Sequence, residues 1–289
     1  MVAAATAVLL WGAWFPITKI AVNTNLGEID LAFLRFTTAG AIALPILIRK
    51  GFRVHGGRGL PKAVLLAFCA GVGYILIAAL ALRFAPSSYG LVTPVSMAMF
   101  NALLAMAFGA GKRNRVVYLS IIVNVIGIAY LITLSRERPS VGEGAAIGIG
   151  LFVVAGFVFS LYNFFVARWR VDALHATALV SFYSALAIIP IRLATMVIGT
   201  VEGLPPVRET LFHMVYQGIL VSYVALVLFT TAIQKLGSNR AAYLVLAVPA
   251  TAVGLSFLLL GERAAPAVLV SIALLLVGMG LGIYGTRRG

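Results

Sequence analysis

The 289-residue chain is 62% hydrophobic and 10% charged, with a mean hydropathy of +1.07. Soluble domains carry about 25% charged residues, so water is excluded as the solvent for most of this surface. The net charge of +14 is scattered between apolar runs instead of gathered on one face, which argues against nucleic acid and suits loops facing anionic lipid; the single cysteine, Cys69, excludes an intrachain disulfide and a multi-cysteine metal site.

A membrane-spanning helix needs about 20 mostly apolar residues. Breaks at glycine, proline and charge clusters divide the chain into ten such runs, at 3–22, 28–49, 61–83, 87–109, 115–134, 144–168, 176–198, 210–235, 238–261 and 266–285. The first run has no basic segment before it and carries Lys19, so it reads as a span and not as a cleaved leader. Spans three and four meet at Phe84-Ala85-Pro86, and spans eight and nine at Leu236-Gly237. With the N-terminus inside, fourteen of the 22 Lys and Arg fall in the even-numbered loops and the C-terminal tail, against five in the odd-numbered loops. That bias predicts both termini on the cytoplasmic side and an even number of spans.

The two halves show a weak self-similarity in a shared order. Val72-Gly73-Tyr74 matches Val221-Ser222-Tyr223, Pro45-Ile46 matches Pro190-Ile191, Phe15 and Lys19 match Phe164 and Arg168, and Gly109 matches Gly261. Five spans per half is odd, so the second half must be inverted relative to the first. The expected fold is an all-α membrane protein, with ten transmembrane helices in two inverted five-helix repeats around a central cavity. The repeats are placed at 1–138 and 139–289 as one structural unit. Such repeats are a recurring transporter architecture with the site near the midplane.

Trp11-Gly12-Ala13-Trp14-Phe15 with Lys19, Arg35 after a short acidic loop, and Pro249 followed by Leu260-Gly261-Glu262-Arg263 carry a family resemblance. Across essentially its whole length the chain resembles EamA-type members of the drug/metabolite transporter superfamily. Within that superfamily it looks most like the YddG-type exporters of aromatic and other amino acids. The resemblance implies a multi-pass protein of a bacterial-type inner membrane that moves amino acids or related metabolites outward. Two departures stand out. Gly109-Ala110 occupies the place of Gly261-Glu262 in the first repeat, and Met97 lies where Pro249 maps, with Pro94 one turn earlier.

Ionisable groups inside a membrane are costly and mark function by default. Lys19, Arg35, Arg192 and His213 are those within spans. Lys19 and Arg192 read as side chains snorkelling to the headgroups, and His213 as a solvated helix end. Arg35 can pair with Glu28 or Asp30; alternatively Arg35 or Lys19 meets a substrate carboxylate. No Asp or Glu lies in the middle of a span. A proton-driven antiporter needs a titrating group in its pathway, so a facilitator is expected.

The midplane is aromatic. Trp11 and Phe15 share a face of span one, Tyr74 and Tyr223 occupy matched positions, Phe159, Tyr162 and Asn163 lie in span six, and Tyr243 opens span nine. With Thr93 and Met97 of span four, these residues (Phe159 as a neighbour) are the expected substrate-binding wall. Such a wall suits a neutral or zwitterionic substrate with an aromatic or aliphatic side chain, its ammonium resting on a ring face. Pro94 and Pro249 are candidate hinges, and Gly278 and Gly282 predict close helix packing.

Other classes fare worse. An intramembrane enzyme needs a nucleophile with its base, paired carboxylates or a metal site, and His55, His175 and His213 all fall at or near loops without forming such a set. A channel needs a filter signature or a ring of like charge. Nucleotide sugars need several midplane cations, which leaves other small metabolites and hydrophobic drugs as the alternative cargo. No enzyme activity, cofactor or metal is expected. The expected partners are a small-molecule substrate and the lipid bilayer, without nucleic acid.

Overall fold

The computed structural model describes residues 2–23, 26–54, 59–108, 114–136, 144–198, 206–225, 228, 247–262 and 266–287. Gly109, Ala110, Leu236, Gly237, Tyr243 and Arg263 lie outside the described residues. The described chain is helical: α1 Val2–Asn23, α2 Glu28–Lys50, α3 Gly59–Ala70, α4 Val72–Phe84, a 3-10 helix Ser87–Leu91, α5 Val92–Ala107, α6 Arg115–Arg136, α7 Ala145–Trp169, α8 Ala173–Val197, α9 Val207–His213, a π-helix Met214–Val224, α10 Ala247–Leu260 and α11 Pro266–Arg287. Eight helical stretches among the described residues are long and apolar enough to cross a membrane. The eighth and ninth apolar runs are represented by α9 with the π-helix and by the shorter α10.

Helices suit this solvent because each satisfies its own backbone hydrogen bonds where no water is present. Their outward faces are apolar: on α6 Ile122, Val125 and Ile126 are each at least half exposed, a surface that only lipid tolerates over such an extent. Helix ends carry the matching charges. α2 starts with Glu28 and Asp30 and finishes with Arg49 and Lys50, which fits its macrodipole. Asp172 caps α8 by accepting from the His175 amide at 3.0 Å.

The main packing pairs are α2 on α8, α6 on α11, α7 on α5, α1 on α10, α4 on α7, α2 on the π-helix and α8 on α3. Small residues make several of these contacts possible. A Cβ at Gly12 would collide with Thr251 of α10, one at Gly156 with Ser96 of α5, and one at Gly278 with Asn124 of α6.

Two features depart from straight spans. The run read as span three is broken at Gly71 into α3 and α4. Ser184 of α8 sutures the break, its Oγ accepting from the Val72 amide at 3.0 Å and donating to the Ala67 carbonyl at 3.3 Å. A Cβ at Gly71 would strike that Ser184 hydroxyl, so the glycine lets α8 approach the exposed backbone. Within span eight Met214–Val224 wind as a π-helix, in which a Cβ at Gly218 would meet Thr38 of α2. Cys69 is buried two residues before the Gly71 break. The joint at Phe84-Ala85-Pro86 is a true corner, with Ala85 extended between α4 and the 3-10 helix.

The charged residues within the spans are packed, not snorkelled. Arg192 is 2% exposed, and its Nε lies 2.6 Å from Asp30 Oδ1. Arg83 pairs with Glu28. Lys19 turns back into the protein and donates to the carbonyls of Leu82 and, at 3.1 Å, Ala85, supplying a cation to the C-terminal end of α4. His213 is buried at 5% exposure, against the expectation of a solvated end. All of these lie at the Glu28 end of α2. At the Lys50 end, Lys50 reaches Asp172 at 2.5 Å, His175 Nε2 lies 2.9 Å from the Gly51 carbonyl, and the Tyr183 hydroxyl donates to the Phe52 carbonyl at 2.7 Å.

Candidate substrate cavity

A cavity of about 320 Å³ lies between the helices, walled by residues of α1, α2, α3, α4, α5, α7, α8, the π-helix and α10. Its lining runs from the middle of the bundle toward the Lys50 end, where Tyr162 and Asn163 approach the end of α7 and Thr177 sits in the second turn of α8. Of the wall expected from sequence, Trp11, Phe15, Tyr74, Thr93, Met97, Tyr162 and Asn163 line it, together with Arg35 and Pro94.

The rings form a connected wall. Tyr74 packs edge-on against Phe159 with centroids 4.9 Å apart, and Phe159 against Tyr162 at 5.5 Å. On the facing side Phe15 meets Trp14 edge-on at 5.0 Å and Phe152 at 6.3 Å. Edge-to-face rings hold one another's orientation and leave faces free for a ligand.

Two residues expected to contact substrate stand elsewhere. Tyr223 does not line the cavity; it packs behind the wall with Leu179 and Val180. Its match to Tyr74 assumes equal winding in both halves, whereas the π-helix takes more residues per turn and carries Val221 and Ser222 to the wall instead. Lys19 is not a lining residue and serves α4, as described above. Pro249 is the third residue of α10 and Pro94 the third of α5. The turn of α5 that holds Pro94 follows directly on the 3-10 helix that ends at Leu91.

Arg35 is the one cation of the cavity wall among the described residues. It does not pair with Glu28 or Asp30, which are held by Arg83 and Arg192. Its Nη1 donates to Gln217 Oε1 at 3.1 Å, and the same oxygen accepts from Trp14 Nε1 at 2.8 Å. Gln217 Nε2 donates to Thr18 Oγ1 at 3.2 Å. Indole and guanidinium nitrogens only donate, so the atom between them must be the amide oxygen. Gln217 is 1% exposed, and the Arg35 Nε is buried without a hydrogen-bond partner. Thr93, whose Oγ1 is likewise buried and unpartnered, lines the cavity too. Sequence reasoning missed Gln217, Trp14, Thr177, Ser181 and Ser222 as site residues; Trp14, beside Trp11 in the opening motif, and Ser222, within the repeat match Val221-Ser222-Tyr223, carried a visible signal.

Nothing in this wall resembles a catalytic set, and no group of three or more metal-ligating side chains occurs among the described residues. A multi-helix membrane protein with an apolar internal cavity rich in aromatic rings fits the class of small-molecule carriers. The model of the EamA-like transporter family matches residues 1–133 and again residues 146–284, and the chain belongs to that family. It is a multi-pass membrane transporter of the drug/metabolite type. Among curated proteins no relative matches. A solved crystal structure, described only as that of a protein, superposes with a TM-score of 0.64 over 99% of this chain and 97% of its own, at 19% identity. That likeness shows the fold alone.

Proposed function

We propose that the chain is a secondary carrier of the YddG type for amino acids, aromatic and other neutral ones. It works by alternating access between two inverted five-span halves, divided at residues 138 and 139, in a bacterial-type inner membrane with both termini cytoplasmic. The observation that carries this reading is the aromatic-rich cavity with a single guanidinium, lined by both of the stretches that match the same family model. A ring or branched aliphatic side chain fits the wall of Trp11, Phe15, Tyr74 and Tyr162, with Asn163 and Thr93 available to its polar atoms.

The packing supports inversion. Exchanging the first span with the sixth, the second with the seventh and so on maps α1–α10 onto α7–α5 and α2–π onto α8–α3. The pairs α2–α8 and α6–α11 then map onto themselves. The excess of Lys and Arg at the Lys50 end supports placing that end in the cytoplasm. The cavity then reaches inward, while ion pairs and caps close the outer end.

No carboxylate is present among the described residues that line the cavity, which supports a facilitator in preference to a proton-driven pump. Counterflow in proteoliposomes preloaded with unlabelled phenylalanine tests the reading. Labelled phenylalanine is expected to accumulate transiently above equilibrium, and a panel of amines and sugars is not. Absence of counterflow for every amino acid overturns the substrate class. Stoichiometric uptake driven by acidification overturns the facilitator mechanism.

A further inference from the structure

The charges of this bundle are paired with opposite charges or helix ends wherever they serve structure. Among the described acids Glu28 is held by Arg83, Asp30 by Arg192 and Asp172 by Lys50. Glu262 accepts from the Ser87 and Ser88 amides at 2.9 and 3.0 Å, and Glu209 is exposed in the first turn of α9. No described carboxylate is left for Arg35. Among the described residues its hydrogen-bond acceptor is the neutral oxygen of Gln217, already shared with Trp14. A guanidinium within a membrane span is costly until a counter-charge reaches it, and its planar fork matches a carboxylate in two-pronged fashion.

We propose that Arg35, held in place by Gln217, is the dock for one carboxylate of the transported molecule, so that the site selects small carboxylic acids with an aromatic or aliphatic body over the corresponding amines. This rests on the carrier reading above. The Gln217 amide orients the guanidinium without neutralising it: Thr18 fixes one end of the amide and Trp14 the other. The arriving carboxylate supplies the missing charge and the acceptor that the buried Nε lacks. Gln217 is thus a positioning residue, and its neutrality is what keeps the dock vacant for substrate.

Three probes with one ring separate the charges: 3-phenylpropionate, phenylalanine and phenethylamine. Binding to the purified full chain is read from the fluorescence of Trp11 and Trp14, which line the cavity. The two acids are expected to bind and the amine to bind at least about tenfold more weakly, since a charged hydrogen bond is lost. Gln217→Glu places a permanent carboxylate against Arg35 and is expected to weaken both acids about 10- to 100-fold, with thermal stability at or above that of the parent. Arg35→Gln is expected to weaken them comparably, with the amine unchanged. Undiminished acid binding in Gln217→Glu overturns the dock. Binding of phenethylamine as tight as that of the acids also overturns it and leaves the carrier reading standing, while no response to any probe overturns both.

Discussion

Two arginines within the spans, Arg192 buried and Arg35 half-buried, have opposite surroundings. Arg192, at the Glu28 end, meets a carboxylate at 2.6 Å in a site closed on all sides. Arg35, two turns along α2 from Glu28, donates to the Gln217 amide oxygen, lies over the Phe36 ring and lines a cavity. Both are equally unwelcome in lipid, so charge within a span does not by itself mark a site. What separates them is whether the protein supplies the counter-charge: where it does, the pair is architecture, and where it does not, the pair awaits something from outside.

The contrast is open to direct attack. The largest effect is expected from Asp30→Ala, which strands the Arg192 guanidinium in a dry site. A loss of about 3–5 kcal/mol follows, read as a large drop in melting temperature in detergent, and Asp30→Leu combined with Arg192→Met should recover most of it. Arg35→Gln should melt close to the parent; an equal loss there erases the distinction between the two arginines.

A smaller effect is expected at Glu262. Its carboxylate accepts from two amides that open the 3-10 helix, and Ser87 and Ser256 join beside it at 2.8 Å. Glu262→Gln removes the ionic share of these bonds, about 1.5 kcal/mol. An impermeant thiol reagent applied at the proposed outer face should then label Ser222→Cys about tenfold faster, with no change in melting of similar size.

The smallest effect belongs to the Lys50–Asp172 pair, which is 40% and 58% exposed. The hydrogen bond from Lys50, then that from the His175 amide, hold the Asp172 carboxyl below the ordinary carboxylate range. A depressed folded-state value gives stability that is present above the unfolded value of about 3.9 and is lost as pH falls through the folded one. Asp172→Asn keeps the cap on α8 and removes the charge. Its small deficit at neutral pH should therefore vanish in acid below that window, as melting curves over pH will read.

Much of this was legible in the sequence because hydropathy and charge placement are properties of the chain itself. The runs, the aromatic wall of Trp11, Phe15, Tyr74 and Tyr162, and the presence of Arg35 within a span all follow from counting. The partners of the charges did not follow. Asp30 sits at a helix start and Arg192 lies some 160 positions later, and only tertiary packing joins them. Gln217, one amide in an apolar run, gave no periodic signal. The winding of span eight was invisible for the same reason, and so the matched tyrosines part company: Tyr74 reaches the cavity and Tyr223 does not.

The break at Gly71 has a use beyond architecture. Cys69 lies two residues before it, 1% exposed, and is the only thiol in the chain. A reagent small enough to enter lipid can reach that sulfur only when α3 parts from the helices packed on it, so its rate of reaction is a clock for the opening of this region. The protein carries its own single-site reporter, and the ticking with and without cargo measures how often α3 lets go of its neighbours.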